Sequence, residues 1–349
     1  MLDKTQYTFN DKDFFKKPFC NLIHGDCTEA VRMLPLESID MIMFSPSYYG
    51  LRDYHVEGQI GLEDHPDKYI KRLVDLCHYL KLVLKKSGNM YVVIGDSYFG
   101  HHGGGPSKFE RESKGLTWKD KSKRYRTKPF SHVKFGGWLR PKQLMLMPAR
   151  LAIALQEDGW TLRNDICWHK PNSTPCSAKD RLANYHEHIF HFVKNRKYYY
   201  DLDAIRVPYK KSSIQRSKYI RTKFSSDPNE PLVKFPKSSV TGTEKVKIKQ
   251  NPKGCNPGDV WNISTVRKSR GHYASYPQKL CVSPISSSSP EHGVILDPMC
   301  GSGTTLKVAR DLHRNAIGID LNKSYIELSK NRLEMEGYNV KLYDVNLGE

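Results

Sequence analysis

The segment from residue 294 to 336 limits the possible folds of this chain more than any other part of the sequence. Its apolar run Val294-Ile295-Leu296 predicts a buried strand, which a glycine turn and a helix over about 303–312 follow. A strand over 315–319 and a second helix over about 323–336 complete the segment. Short apolar runs separated by helical patterns are typical of parallel strands joined by crossover helices. The segment therefore predicts a βαβ unit.

The same alternation occurs in the first two hundred residues. Strands are predicted at 19–24, 39–44, 90–94, 162–168 and 187–193. Helices are predicted near 27–34, from Pro66 to a stop at Gly88, and over 148–158 before Gly159. We therefore expect an α/β fold, with a mostly parallel sheet covered by helices on both faces.

The positive charge of the chain is concentrated in two stretches. The net charge is +19, and residues 108–134 contain 10 Lys and Arg against 3 Asp and Glu, while residues 209–253 contain 12 against 3. Concentrated cationic side chains beside Tyr and Phe suit a polyanion with stackable bases, although solubilising lysines on loops remain an alternative. The region near 100–140 shows no sustained hydrophobic periodicity, so it is predicted to be a mobile insertion. Residues 209–256 are predicted to be an irregular excursion.

Other compositional features exclude several classes of protein. No apolar run reaches 18 residues, and Lys4, Asp11, Lys12 and Asp13 interrupt the N-terminal region, so we expect a soluble cytoplasmic protein. The eight cysteines form no Cys-x-x-Cys pair and are expected to be reduced. His186, Glu187, His188 and His191 lie on a predicted strand with spacings that do not converge on a metal, so no metal site is expected.

The glycine turn after Leu296 has the composition of a site for a nucleotide-like cofactor. Glycines allow a close approach of the backbone, and the following helix presents unpaired N–H groups. The turn lacks the Lys of a triphosphate loop, and Leu306 occupies the position of the third glycine in a dinucleotide motif. Asp320 ends the next predicted strand, where a carboxylate can accept both hydroxyls of a ribose. This layout indicates S-adenosyl-L-methionine, held by Asp297, Pro298, Met299, Gly301, Ser302, Gly303, Thr304 and Asp320.

A second turn, Ser45-Pro46-Ser47-Tyr48, follows the apolar run that ends at Phe44. The exocyclic amino group of cytosine or adenine is a poor nucleophile, because its lone pair is delocalised into the ring. Two acceptors directed at its N–H bonds push it towards tetrahedral geometry, and Ser45 Oγ and the Pro46 carbonyl are candidates. Tyr48 can stack on a base extruded from the duplex. Ser45, Pro46 and Tyr48 are therefore the predicted catalytic residues, with catalysis arising mostly from positioning and local electrostatics.

Taken together, these blocks resemble the amino-group DNA methyltransferases of restriction–modification and phage systems. The likeness is to the β arrangement, in which the catalytic tetrapeptide precedes the cofactor turn. It extends over most of the chain, since further family-like blocks occur at Gly25-Asp26, 95–98, 162–172 and Trp261-Asn262-Ile263. One departure is Ser47, where the family usually has Pro; this restores a backbone N–H and relaxes φ. Loop rigidity, and with it efficiency or the type of substrate, is therefore open.

The resemblance implies roles for further residues. Asp26, Cys27 and Phe44 are expected near the adenine of the cofactor, and Tyr276 near its methionine end. Independently of the resemblance, Tyr49, Arg52, Asp53 and Lys170 are candidates for substrate contacts, with Lys170 directed at a phosphate. Bracing of the catalytic loop is the alternative role for Arg52 and Asp53. The resemblance also implies a Rossmann-like methyltransferase sheet, with a catalytic half over 1–171, an irregular basic target-recognition region over 172–260 and a cofactor half over 261–349.

In this family a tetrapeptide that begins with Ser is associated with methylation of N4 of cytosine, and one that begins with Asp with methylation of N6 of adenine. We therefore expect a cytosine-N4 enzyme acting on double-stranded DNA with the target base flipped. N6-adenine methylation and N4-cytidine methylation of RNA remain alternatives. A protein-glutamine methyltransferase is disfavoured, and a catalytically silent nucleic-acid-binding regulator is the rival of another class. Oligomeric state and a cognate restriction nuclease are left open.

Overall fold

The structure is a computed structural model that describes residues 13–99, 138–173, 175–176, 178–218, 250–266 and 276–345. The chain divides into two compact units, of which the larger consists of Met1–Asp201 with Asp259–Glu349 and the smaller of Leu202–Gly258. Nearly all of the insertion predicted near 100–140, and most of the basic excursion predicted over 209–256, lie outside the described residues.

The described part of the larger unit contains a sheet of nine strands. The strands are β1 Cys20–His24, β2 Ile39–Phe44, β3 Leu84–Ile94, β4 Thr161–His169, β5 His186–Val193, β6 Val260–Asn262, β7 Val294–Asp297, β8 Asn315–Asp320 and β9 Lys341–Asp344. Their order in the sheet is β6-β4-β5-β3-β2-β7-β8-β1-β9. Every neighbouring pair is parallel except the two that involve β5, which runs antiparallel to β3 and to β4. The expectation of a mostly parallel Rossmann-like sheet is confirmed.

Helices cover both faces of this sheet, because side chains alternate between the two faces of each buried strand. On β2, for example, Ile42 and Phe44 belong to one buried cluster, and Met41 and Met43 belong to the other. The first cluster packs against helices Cys27–Arg32, Pro66–Val83 and Met147–Glu157. The second packs against helices Lys279–Ser288, Thr304–Asp311 and Lys323–Met335. Within the described ranges, no helix combines the length and the apolar character needed to cross a bilayer.

Two regions differ from the sequence-based expectation. The helix that begins at Pro66 ends at Val83, and Gly88 lies within β3 rather than at a helix stop. Leu84 already pairs with Ile39, and the register shifts before Asn89 pairs with Met41, so residues 85–88 form a bulge in the strand. Helix Lys279–Ser288 was not predicted, because Pro284 and a run of serines obscure its helical pattern.

The smaller unit contains a 3₁₀ turn over Leu202–Ile205 and a helix over Lys211–Lys218. Val207 and Cys255 join its two ends through a pair of backbone hydrogen bonds of 3.0 and 2.9 Å. The guanidinium of Arg206 donates to Asp203 at 2.6 Å and to the Gly254 carbonyl at 3.0 Å. This unit lies within the region 172–260 that was assigned to target recognition, and that assignment stays a prediction.

Candidate active site

The order of the strands explains why two turns about 250 residues apart in sequence meet in space. β2 pairs in parallel with β7, with Ile42 opposite Leu296. Ser45 and Asp297 therefore emerge at the same edge of the sheet, where the carboxyl ends of β8 and β1 also lie. Ligands of open α/β sheets bind in crevices at this edge.

A cavity of about 480 Å³ opens at this edge, a volume typical of small-molecule sites. It brings together most of the residues that the sequence assigned to the cofactor and the reaction. Those that line it are Asp26, Cys27, Ser45, Pro46, Tyr48, Arg52, Lys170, Tyr276, Asp297, Pro298, Met299, Gly301, Ser302, Thr304 and Asp320.

Four of the predicted residues lie elsewhere. Phe44 and Tyr49 are 1% and 2% exposed, and both side chains belong to the core rather than to the wall of the cavity. The Tyr49 ring packs 5.4 Å from that of Tyr69, and its hydroxyl donates to the Glu63 carbonyl at 3.0 Å. Asp53 accepts from the His55 N–H at 2.7 Å. Gly303 caps helix Thr304–Asp311 with a φ of 73°.

At the cofactor end, a carboxylate at the end of β8 binds the glycine turn, and a second one just after β1 caps a helix. Asp320 Oδ2 accepts the Gly301 N–H at 2.9 Å, and Asp320 Oδ1 accepts the Asn322 N–H at 2.8 Å. Burial is the main cause that raises the pKa of Asp320 above its usual value. At the end of β1, Asp26 Oδ1 accepts the Thr28 N–H at 2.8 Å and so caps the helix that begins at Cys27.

Asp297 lies deepest at this end and is 2% exposed. Burial raises its pKa to about 7, although hydrogen bonds from Thr305, the Met299 N–H and Tyr276 act in the opposite direction. The Met299 N–H donates to Asp297 Oδ1 at 3.1 Å and the Tyr276 hydroxyl to Oδ2 at 3.2 Å. The Thr305 and Tyr276 hydroxyls also contact one another. These hydrogen bonds to Asp297 therefore fix the position of the glycine turn.

At the other end of the cavity, Glu187, which the sequence analysis considered only as a metal ligand, contacts the predicted base-stacking residue. The Tyr48 hydroxyl donates to Glu187 Oε2 at 2.7 Å, and the Lys170 ammonium forms an ion pair with Glu187 Oε1. Lys170 Nζ also lies 4.5 Å from the centre of the Trp168 ring. Glu187 is the second residue of β5, and its position at this edge depends on β5 being antiparallel. The local sequence pattern contains no signal for strand direction.

The histidines near Glu187 have structural partners. His188 Nδ1 lies 2.9 Å from Asp165 Oδ1, and His191 Nε2 lies 2.9 Å from Asn89 Oδ1. The His191 ring stacks on Tyr91 with centroids 4.4 Å apart, and burial lowers its pKa to about 3. Over the described ranges, no group of three or more His, Cys, Asp and Glu side chains is arranged to hold a metal ion.

The backbone of the Ser45–Tyr48 turn is braced from outside the cavity. The Tyr69 hydroxyl donates to the Ser47 carbonyl at 2.9 Å, and the Gly50 N–H donates to the Gly61 carbonyl at 2.8 Å. Arg72 donates to the Gly58 carbonyl at 2.8 Å and so holds the far end of the same loop. These bonds restrain a turn that lacks the usual third-position Pro.

The loop that follows the turn forms one wall of the cavity. Its lining residues are Leu51, Arg52, Tyr54, Val56, Gly58, Gln59 and Ile60. The Tyr54 ring meets the Tyr325 ring edge to face, with centroids 5.9 Å apart. Arg52 Nη1 is buried and has no hydrogen-bond partner among the described residues. A buried donor of this kind is suited to an anionic group in the cavity.

Comparison with known proteins agrees with this geometry. The sequence model of the DNA methylase family matches residues 39–331. The type II methyltransferase M.SmaI of Serratia marcescens is 38% identical over 315 residues, which cover 90% of this chain and 90% of that protein. M.Cfr9I of Citrobacter freundii, also a type II methyltransferase, is 34% identical over 91% of this chain and 89% of its own.

Solved structures share the fold at low sequence identity. The cytosine-N4-specific PvuII DNA methyltransferase superposes with a TM-score of 0.57 at 16% identity, over 90% of this chain and 86% of that chain. A putative DNA modification methylase of Thermus thermophilus does so with a TM-score of 0.55 at 18% identity, over 93% and 100%. The Thermus protein has also been solved in complex with S-adenosyl-L-methionine.

The family model covers most of this chain, and a relative at 38% identity spans nine-tenths of both proteins. In the structure, the serine turn and the glycine turn that carried the resemblance line one cavity. The chain therefore belongs to the DNA methylase family of amino-group methyltransferases.

Proposed function

We propose that this chain is a site-specific DNA methyltransferase that uses S-adenosyl-L-methionine to modify N4 of a flipped cytosine. The observation that carries the proposal is the shared cavity, in which Ser45 faces the same space as Gly301 and Asp320. Group transfer requires the donor and acceptor sites to adjoin. A parallel β2–β7 pair provides this arrangement without any further rearrangement of the chain.

The side chains of the cavity match the chemistry of S-adenosyl-L-methionine. Carboxylates at the ends of β1, β7 and β8 offer acceptors for an adenine amino group, an ammonium group and ribose hydroxyls. The buried, unpartnered Arg52 Nη1 offers a donor for a carboxylate. On this basis we assign Asp26, Asp297 and Asp320 to the cofactor, and we also reassign Arg52 to it from the substrate contacts that the sequence analysis gave it. When bound, the cofactor supplies a methyl group on an electrophilic sulfonium.

Ser45, Pro46 and Tyr48 act on the target base in this proposal. Ser45 Oγ and the Pro46 carbonyl accept hydrogen bonds from the two N–H groups of the exocyclic amino group, and the Tyr48 ring stacks on the base. Burial and the charge of Glu187 raise the pKa of Tyr48 well above its usual value, so Tyr48 remains a neutral hydrogen-bond donor. The surplus proton leaves the amino group after the displacement, because a serine hydroxyl is too weak a base to remove it earlier.

The choice of cytosine over adenine rests on Ser45, the residue type associated with N4-cytosine methylation in this family. N6-adenine methylation by the same turn is the second candidate, and N4-cytidine methylation of RNA is the third.

To identify the target, purified enzyme is incubated with labelled S-adenosyl-L-methionine and either unmethylated plasmid DNA or total RNA. The products are then digested to nucleosides and identified by mass.

We expect N4-methylcytosine from the DNA and no labelled nucleoside from the RNA. Detection of N6-methyladenine instead would mean that the target base is adenine. Label found only in RNA would mean that the substrate is RNA and not DNA. Binding of the cofactor without any transfer would favour the silent regulator. Mapping the modified position in the plasmid then supplies a defined duplex for kinetic work.

A further inference from the structure

A long loop rises from the edge of the sheet at which the cavity opens. β4 and β5 form an antiparallel hairpin, and the Lys170 N–H donates to the Tyr185 carbonyl at 2.7 Å just beyond the last pair of the two strands. Lys170 lines the cavity, as does Glu187 of β5. Residues 171–184 connect the two strands, so this loop begins and ends at the mouth of the cavity.

Contacts to neighbouring segments restrain the second half of this loop. Lys142 donates to Asp180 Oδ2 at 2.7 Å, and the Arg181 guanidinium lies over the Tyr98 ring, 3.9 Å from its centre. The Tyr98 hydroxyl donates to Asn184 Oδ1 at 3.3 Å. Tyr98 follows the end of β3 by four residues and therefore lies at the same edge of the sheet. Side-chain contacts thus hold the loop on both sides of residues 182 and 183.

Leu182 lies between these restrained positions and is 89% exposed, the highest value among the large apolar side chains of the described residues. Its carbonyl accepts Arg181 Nη1 at 3.0 Å, which further restrains the backbone. Single exposed leucines are common on protein surfaces, but this one is held at the rim of the cavity beside Arg181 and the exposed Lys179. An apolar side chain next to cations suits a partner with an anionic exterior and an apolar interior, as a DNA duplex has.

Extrusion of a base from a duplex leaves a vacant space in the stack, beside which the neighbouring base pairs lose contacts. Proteins that distort DNA insert side chains such as Leu, Ile or Phe between base steps. A base that enters the cavity must leave the duplex at the mouth. Leu182 is three residues from Tyr185 at that mouth, a reach of at most about 11 Å along the chain. Leu182 is therefore close enough to contact the nucleotides beside the extruded one.

We propose that Leu182 inserts into the duplex and occupies the space that the flipped target base vacates. This inference rests on the proposed function, since only an enzyme that extrudes its target creates such a space. Insertion buries the exposed leucine and restores contacts to the base pairs on either side, and both effects stabilise the extruded state. The cationic Lys179 and Arg181 face the adjacent phosphates in this arrangement.

The variant Leu182→Ala tests insertion without a change in the core, because the side chain is exposed. We expect the single-turnover rate of methyl transfer on the mapped duplex to fall by about 10-fold or more, because the extruded state is less populated. Leu182→Met preserves the apolar volume and should stay within about threefold of wild type. Met335→Ala, at an 88% exposed residue that ends the outer helix Lys323–Met335, is the matched control and should react as wild type.

A duplex in which the target cytosine faces a mismatched base separates insertion from other effects. Extrusion costs less on this duplex, so the extruded state forms with less help from Leu182. We expect the ratio of the wild-type rate to the Leu182→Ala rate to fall from about 10 on the paired duplex to less than about 3 on the mismatched one. Binding of a non-specific duplex should agree within about twofold between the two proteins, because phosphate contacts dominate it.

The inference is overturned if Leu182→Ala transfers the methyl group at the wild-type rate, or if its defect is as large on the mismatched duplex as on the paired one. It is also overturned if Met335→Ala shows the same defect. Partly unfolded variant protein does not alter this comparison, because both rates come from one preparation. Failure of the proposed function looks different, because wild-type enzyme then produces no N4-methylcytosine on the paired duplex. The wild-type reaction run beside each variant separates the two results.

Discussion

Ser45 is the residue on which the proposed chemistry depends most directly. Replacement by Ala removes an acceptor that acts on the amino group in the transition state and leaves the braced backbone of the turn unchanged. We expect Ser45→Ala to lower kcat by about 100-fold or more, a loss typical of removing one directed hydrogen bond from a site of this kind. Single-turnover transfer and duplex binding by fluorescence anisotropy measure the two effects separately.

Binding of the duplex by Ser45→Ala should stay within about threefold of wild type, since phosphate contacts dominate affinity. The exposed Ser324, in the first turn of the outer helix, supplies a matched Ser→Ala control with no expected effect. Equal losses of turnover and binding would remove Ser45 from the reaction.

Asp297 gives the enzyme a pH-dependent stability. Its pKa in the folded state is raised to about 7 from the usual value of 3.8, mainly by burial. The resulting stabilisation of the protonated form is fully present below about pH 4 and is lost as the pH rises through about 7. Ionisation of Asp297 therefore destabilises the folded protein at neutral pH.

Asp297→Asn removes this titration and keeps the shape of the side chain. We expect the free energy of unfolding of wild type, relative to the variant, to fall by on the order of 2 kcal/mol between pH 5 and pH 8. Urea unfolding of both proteins at the two pH values measures this difference. A relative stability that is constant with pH, or that rises, contradicts the assignment to Asp297.

At the scale of single residues, the sequence predicted best where a polar residue directly follows an apolar strand. Ser45, Asp297 and Asp320 each occupy such a position, and the structure places all three around one cavity. Glu187 was not predicted at this cavity because its location depends on the direction of β5, which pairing partners determine and local pattern does not. Phe44 and Tyr49, which were expected at the cofactor and the substrate, lie in the core because apolar burial outweighs their proximity to the turn in sequence.

At the scale of elements, Gly303 joins the cofactor turn to its helix and to the outer helix Lys323–Met335. It has a φ of 73°, and a Cβ would lie 2.2 Å from Ser329 Oγ and 3.3 Å from Ser329 Cβ. Gly337 has a similar φ of 85°, but its Cβ would meet nothing within 4 Å. Substitutions at the two glycines can therefore be compared to separate the cost of a positive φ from the cost of a steric clash.

Gly303→Ala should destabilise the protein by about 1 to 3 kcal/mol more than Gly337→Ala does, because only the former displaces a packed helix. It should also weaken binding of S-adenosyl-L-methionine, since the turn that lines the cavity moves with Gly303. Urea unfolding and isothermal titration calorimetry measure the two effects. Equal destabilisation by the two substitutions would mean that Ser329 rotates away at no cost.

Elements with a clear period were predicted to within a residue or two of their observed ends. Strand β2 is one case, and helix Lys323–Met335 is another. The edge strands β6 and β9, with three and four residues, were not predicted. Such short strands depend on a neighbour that is already ordered, and their own sequence contributes little to their formation.

For the whole molecule, we expect the basic stretch 209–253 to contribute affinity for DNA that is independent of sequence. Exchanging Lys245 and Lys247 for Gln should weaken binding of specific and non-specific duplexes alike. The slope of log K against log salt concentration should fall by about 0.9 for each phosphate contact that is lost. Anisotropy titrations at several salt concentrations measure both quantities.

Lys68 and Lys71 provide a control of equal charge, since both form exposed ion pairs on helix Pro66–Val83. Their exchange for Gln should leave the salt slope unchanged. If both pairs of lysines lower the slope equally, the effect belongs to net charge and not to the 209–253 stretch.

The strand order also affects how the enzyme matures on the ribosome. β1 and β2 are made first, yet β7 and β8 lie between them in the sheet. Those middle strands come from residues 294–320, about 250 residues after the end of β2. β1 and β2 therefore cannot reach their final separation in the sheet until that segment has been synthesised. A chain truncated before residue 294 lacks Asp297, Gly301 and Asp320, and with them one whole side of the cavity.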